Sequence, residues 1–197
     1  VMTLGKRFGS DILTIGDDPS FPGLRASHKY DNEGVPTKKN YLLKNGILVG
    51  RLHNRETAGR LNTNLTGNGY AVSYRHTPIV RMTNTFIEPG KTTFNDMISD
   101  IKLGMYVCGH MGGSTTKEQF IFNGTHGYMI RKGKIAEMVR NVTLTGNVFQ
   151  TLFDIEAVGD DFEWYQLGYC GKAGQRGHPT TKGTPHLKVK SLVVGGK

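Results

Sequence analysis

Apolar positions along the chain fall mostly in short runs closed by tight turns, a pattern that predicts strands more than helices. Residues 41–44 and 47–52 are two such runs joined by Asn45-Gly46. Asn-Gly supplies the two positive-φ positions of a type I′ turn, so a β-hairpin is predicted there. A second hairpin is predicted from residues 128–131 through Lys132-Gly133 into residues 134–139, with further strands at 12–15, 79–87, 119–122 and 187–194. Helical periodicity is confined to two stretches. Within residues 93–103, Phe94, Met97, Ile98 and Ile101 fall at i, i+3, i+4 and i+7, Thr93 and Asp96 form a variant capping box, and Gly104 offers a stop. Within residues 148–158, Phe149, Leu152, Phe153 and Glu156 share a face that Gly159 ends. The expected class is α+β, mainly antiparallel β with a few short peripheral helices. With 197 residues and no internal repeat at a solenoid or propeller period, one domain over residues 1–197 is expected.

Composition supports a folded chain: 37% of residues are hydrophobic and 21% charged, enough apolar material for a core and too little charge for disorder. No apolar run approaches the roughly 20 residues of a membrane span, and residues 1–6 lack the apolar region of a signal peptide. The 27 glycines are spread without a three-residue period, which excludes collagen and implies many turns. A net charge of +9 raises a nucleic-acid hypothesis. Its distribution argues against one, because the basic residues are scattered singles and pairs, thickening only toward the end at Lys182, Lys188, Lys190 and Lys197, with no RNA-binding aromatic motif or zinc-finger spacing. Two cysteines, Cys108 and Cys170, make no disulfide framework, and a cytoplasmic location is expected.

Residues capable of chemistry are few. The histidines (28, 53, 76, 110, 126, 178 and 186) include no H-E-x-x-H and no complete zinc-ligand set. Cys108-Gly109-His110 reads as a glycine-rich turn. Cys170 sits among Gly168, Gly171 and Gly174, where a loop backbone can approach a neighbour closely.

The segment N-Y-L-L-K-N-G-I-L-V-G from Asn40, then T-G-N-G from Thr66, then S-Y-R-H-T-P-I-V-R-M-T-N-T from Ser73 resembles the C-terminal domain of the TldD/PmbA family of metalloproteases. Pro89-Gly90, Gly112-Gly113, Q-F-I-F from Gln119, T-L-T-G from Thr143, Val158-Gly159, C-G-K from Cys170, Gly174-Gln175, P-H-L-K-V from Pro185 and L-V-V-G-G from Leu192 follow in the family's order. The resemblance runs along almost the whole chain, and R-M-T-N-T followed by C-G-K-x-G-Q is its most specific part. It implies the fold of that C-terminal domain, a sheet or barrel with short helices.

Within the family the resemblance favours the TldD branch, whose zinc is held by two histidines of an H-E-x-x-x-H helix and a cysteine of the C-terminal domain; Cys170 matches that cysteine. The H-E-x-x-x-H segment is absent from residues 1–197, so the chain reads as a C-terminal portion, expected to be metal-free and inactive alone. Zinc is the implied cofactor of the full-length protein, with the glutamate of that segment as general base. A thiolate ligand lowers the Lewis acidity of the metal, so a slow hydrolase is expected, with selectivity resting on substrate access. The implied substrate is an unstructured peptide taken into a closed homo- or hetero-oligomer of family members, held most simply by strand addition. His76, Arg81, Thr83, Asn84, Gly112, Gly113, Gly171 and Lys172 are candidates to line that cavity, Arg81 being equally able to pair with an interior carboxylate. Two other classes stand beside this reading. One is a non-catalytic PmbA-like partner or assembly module, and the other a basic nucleic-acid-associated protein, after the family's older label as modulator of DNA gyrase.

Overall fold

A computed structural model describes residues 2–195; Val1, Gly196 and Lys197, and with them the last glycine of the terminal motif and the last lysine of the basic tail, lie outside the described residues. In chain order the first elements are β1 (Ile15–Asp17), β2 (Asn40–Lys44), β3 (Ile47–Leu48), α1 (Arg55–Leu61), β4 (Gly69–Tyr70), β5 (Ile79–Val80), β6 (Asn84–Ile87) and α2 (Phe94–Ser99). There follow β7 (Leu103–Cys108), β8 (Gly112–Thr116), β9 (Gln119–Asn123), β10 (His126–Arg131), β11 (Lys134–Arg140), β12 (Thr143–Asn147) and α3 (Val148–Phe153). The last are β13 (Ile155–Val158), β14 (Glu163–Lys172), β15 (Gln175–Thr184), β16 (Leu187–Val189) and β17 (Val193–Gly195). The fold is α+β and mainly antiparallel, as the pattern predicts.

The chain forms two compact units. The first takes the chain up to Arg7, Thr14–Glu88 and Phe162–Pro185; the second takes Phe8–Leu13, Pro89–Asp161 and the chain from His186. In the first unit a six-stranded sheet runs β14-β15-β6-β1-β2-β3, antiparallel except for the parallel pair β15 and β6, beside the small ladder β4-β5. In the second unit the sheets are β11-β10-β7, β17-β12-β9-β8 and β13-β16, all antiparallel.

Turn chemistry decides the hairpins. Asn45 and Gly46 take φ of 49° and 74°, so the predicted type I′ turn forms, and the second predicted hairpin turns at Lys132 and Gly133 with φ of 50° and 74°. A third hairpin, β14–β15, turns at Ala173-Gly174 with φ of 50° and 77°. It was not predicted, because β15 carries no apolar run to answer β14.

The helices are shorter than their periodicity suggests. Thr93 caps α2, its hydroxyl accepting the Asp96 amide at 3.2 Å, and Met97 and Ile98 are buried, but the chain leaves the helix at Asp100. Gly104, expected as a helix stop, lies inside β7, where its lack of a Cβ admits the Ile101 side chain. The expected helix over 148–158 ends at Phe153: Asn147 caps it, and Ile155–Val158 becomes a strand paired with β16, burying Ile155 and Val158. The predicted strands at 79–87 and 187–194 are each broken into two, and that at 12–15 shifts to Ile15–Asp17. The helix α1, with a capping box between Asn54 and Thr57, had no periodic signal because Ala58 is its one buried residue.

The two interiors differ in kind. The second unit is conventionally apolar, built on Leu13, Met97, Ile98, Ile130, Val142, Ile155 and Val158. The first buries Leu43, Leu48, Tyr70 and Phe86, but also Asp17, Asn68, Arg81, Thr83, Asn84, His178, Thr180 and Thr181. Such groups are costly inside unless hydrogen-bonded.

Candidate functional site

Asp17, Asn68, Arg81 and Thr83, buried in the first unit, form a connected frame. At its centre the Asp17 carboxylate, fully buried on β1, accepts the Thr83 amide at 2.8 Å, the Thr83 and Thr85 hydroxyls each at 2.7 Å and the Asn68 side-chain amide at 2.8 Å. Burial pushes this carboxyl above the usual range, against the four hydrogen bonds that pull it down. Asn68 also donates to the Arg81 carbonyl at 3.1 Å, while the Arg81 amide donates to the Asn68 carbonyl at 2.9 Å, so the backbone at Arg81, two residues before Thr83, is pinned. The Asn84 side chain donates to the Asp18 carbonyl and the Ser27 hydroxyl.

This frame holds the end of the β14–β15 hairpin, which carries the C-G-K-x-G-Q segment. Arg81 is 1% exposed, and its guanidinium donates to three hairpin carbonyls: Cys170 at 2.7 Å, Gln175 at 3.3 Å and Lys172 at 3.4 Å. No carboxylate is among these partners, so the interior ion pair considered for Arg81 is replaced by carbonyl dipoles. Lys172 Nζ donates to the Val80 carbonyl at 2.9 Å. Gln175 donates from its amide to the Thr77 carbonyl at 2.9 Å and accepts the Val72 amide at 3.2 Å. The two most specific sequence segments, residues 73–85 and 170–175, are therefore one interlocked structure.

Cys170 is half-buried and unpaired, on β14 and not in a loop, directly opposite His178 of β15. Side chains of opposed residues in an antiparallel ladder share a face. His178 is 4% exposed, its ring 5.4 Å from that of Tyr70, which lies 5.2 Å from His28. His178 Nε2 and the Tyr70 hydroxyl are buried with no hydrogen-bond partner among the described residues. Burial, with the Arg81 charge nearby, pulls the His178 imidazole down to about 4. Burial and the charges of Asp31 and Asp17 raise the Tyr70 phenol, and burial lowers His28. No sequence motif marked His178, Tyr70, His28 or Asp17; Asn68 stood within T-G-N-G and Gln175 within C-G-K-x-G-Q.

The depressed His178 makes stability pH-dependent. Between about pH 6.5 and 4 the unfolded chain takes up a proton that the folded imidazole refuses, so stability is lost as the pH falls through that window, by up to about 3 kcal/mol for the shift to about 4. Urea unfolding across that range is expected to show the loss, and His178→Phe to flatten it; an unchanged slope in the variant refutes the assignment to His178.

The remaining candidates are spread out. His76 is exposed in the segment before β5, its Nδ1 2.9 Å from the Ser73 hydroxyl, and Gly171 is exposed beside Cys170. Gly112 and Gly113 belong to the second unit, opening β8 opposite Asn123 and Phe122; a Cβ on Gly113 would stand 2.3 Å from the Ile121 carbonyl oxygen. Cys108 lies on β7 of that unit. There too His186 joins Asp161 at 2.5 Å and Tyr106 at 2.8 Å, so both ring nitrogens are engaged.

Among the described residues no group of three or more His, Cys, Asp or Glu side chains stands close enough to hold a metal ion. Cys170 fits a zinc site as one soft donor, with its backbone fixed and its side chain half-accessible. No helix among the described residues is long and apolar enough to cross a membrane.

Comparison with known proteins places the chain in a family. The family model described as PmbA/TldA metallopeptidase C-terminal domain matches residues 1–196. A metalloprotease of Synechocystis is 48% identical over 196 residues, covering 100% of this chain and 42% of the relative. A metalloprotease TldD homolog of Buchnera aphidicola from Schizaphis graminum is 40% identical over 194 residues, covering 97% of this chain and 40% of the relative. The chain thus spans about two fifths of the length of these curated relatives. The crystal structure of TldE from Thermococcus kodakarensis superposes with a TM-score of 0.79 at 27% identity, covering 98% of this chain and 42% of that one.

Proposed function

Because the chain belongs to the PmbA/TldD metallopeptidase C-terminal domain family, we propose that it is the part of a zinc-dependent peptidase that supplies Cys170 as a metal ligand and builds part of the peptide cavity. The observation that carries this reading is the hairpin end at residues 170–175. A free thiol stands on a backbone that a buried arginine holds by three carbonyls, in the segment whose sequence matches the ligand cysteine of the TldD branch. A thiolate is a good zinc donor, and one thiolate leaves the other positions to be filled from outside the described residues. Bound zinc supplies Lewis acidity toward a peptide carbonyl and toward the attacking water.

The chain's own residues do the holding. Arg81, Lys172 and Gln175 tie the hairpin to the segment 72–81, and Asp17 fixes that segment in turn through Thr83. Arg81, Thr83 and Asn84 are buried and bond their neighbours within the first unit, so their proposed part in the cavity is to shape its wall. Exposed Gly171, Lys172 and His76 are left to meet an extended peptide; Gly112 and Gly113 belong to the separate second unit, where they open its edge strand β8. The proposed setting is a cytoplasmic oligomer of family members acting on unstructured peptides. A non-catalytic partner module is the alternative, favoured by the likeness to TldE; Cys170 favours the ligand role.

The test is metal removal from the full-length protein. Chelation is expected to abolish cleavage of an unstructured peptide, and stoichiometric zinc to restore it. Turnover that survives complete zinc removal, or a full-length protein that binds no zinc, assigns the chain to the partner module instead.

A further inference from the structure

The ladder between β14 and β15 breaks at the position where its geometry matters most. Cys170 pairs with His178 and Lys172 with Gln175, so the register shifts between them, and a shift of this kind bends a strand and leaves a residue outside the regular hydrogen-bond pattern. In addition, β14 is the outermost strand of its sheet, so no further strand restrains Cys170 from the other side. The hairpin turn therefore does not by itself determine where the Cys170 backbone lies.

Arg81 supplies the missing restraint. Its planar fork donates from Nη2 to the Cys170 carbonyl and from Nη1 to the Lys172 and Gln175 carbonyls, spanning both strands across the shifted register. The arginine is itself immobilised, since its amide and carbonyl both bond Asn68, which is held by Asp17. An ordinary ladder residue could contact one carbonyl here; a guanidinium contacts three, and lysine cannot reproduce that fork.

We infer that Arg81 is a positioning residue for the metal site: a buried staple that fixes the Cys170 backbone, and thereby the direction of its thiol, without touching metal or substrate. The inference rests on the reading of Cys170 as a zinc ligand. Lys172, reaching the Val80 carbonyl, is a second and weaker tether on the same hairpin end.

The test uses the full-length protein with three readouts: zinc affinity by chelator competition, the sulfur-to-metal charge-transfer band after replacing zinc with Co2+, and thermal unfolding. Arg81→Met keeps the aliphatic stem and removes every donor; Arg81→Lys keeps the charge and loses the fork. Zinc affinity is expected to fall about 10- to 100-fold in Arg81→Met, as for lost outer-shell partners of metal ligands. It should fall less in Arg81→Lys and least in Lys172→Met, with the cobalt band weakening in the same order. If Arg81→Met does not fold, the other two variants decide the matter. Native zinc affinity and an unaltered cobalt band in Arg81→Lys and Lys172→Met overturn the inference, whatever their thermal stability. Cys170→Ala separates the two claims: a full cobalt–sulfur band in that variant refutes the ligand reading itself, whereas loss of the band there together with native behaviour of the Arg81 variants refutes only the staple.

Discussion

Full-length protein carrying Cys170→Ala is expected to lose its zinc and its peptidase turnover together, while its fold survives. The fold uses the carbonyl of Cys170, which Arg81 holds at 2.7 Å, and alanine keeps that carbonyl. The thiol is half-buried and unpaired, so its removal costs little packing. Removing one of three anchoring bonds, by contrast, should weaken zinc binding by more than the roughly 100-fold upper end typical of a lost outer-shell group. Cys108→Ala is the matched control. Cys108 is likewise half-buried and free, but stands on β7 of the other unit outside every motif-bearing segment of the hairpin, and its carbonyl serves Thr125. Zinc content, turnover and melting temperature measured on both variants check the contrast. Full zinc and full turnover in Cys170→Ala would sink the ligand assignment.

The largest effect on stability is expected at Asp17. Asp17→Ala removes one acceptor group from four donors at once, and the Thr83 amide and the Asn68 side-chain amide cannot rotate away as hydroxyls can. Both partners are fully buried, so no water replaces the carboxylate without rearrangement. A buried donor left unpaired costs about 1–3 kcal/mol, so the variant is expected to lose about 3–5 kcal/mol, a large part of an ordinary domain's stability. Asp17→Asn keeps the shape but brings an N–H to a site already supplied with donors, and should lose about 2 kcal/mol. Urea unfolding measures both. A loss below about 1 kcal/mol in Asp17→Ala would show that the frame around Thr83 does not depend on this carboxylate.

The two effects are connected through position. Asp17 orders the backbone at Thr83, Thr83 follows Arg81 by two residues, and Arg81 holds the hairpin at Cys170. A stability variant at Asp17 should therefore also weaken zinc binding, and one at Cys170 should leave the Asp17 frame untouched.

What the sequence determined by itself was local. Asn45-Gly46 supplies two successive positive φ values, Lys132-Gly133 puts a glycine between two apolar runs, and both hairpins formed. The 3.6-residue spacing of Phe94, Met97 and Ile98 behind a Thr93 cap made a helix, and the ordered motifs identified the family and pointed to Cys170. Only the tertiary structure decided where periodic segments stop, because Ile155 and Val158 gain more from pairing with β16 than from a further helical turn. The same holds for the frame around the site. Thr83 meets Asp17 across 66 residues, Arg81 meets the Cys170 carbonyl across 89, and β15 pairs parallel to β6 with the Pro89–Asp161 segment of the second unit between them in sequence. A turn or a helix face is written in neighbouring residues, because the dihedral preferences that create it act over a few peptide bonds. A buried arginine on three backbone carbonyls leaves no such trace, since its acceptors are groups that every residue carries, and only folding brings those particular carbonyls to it.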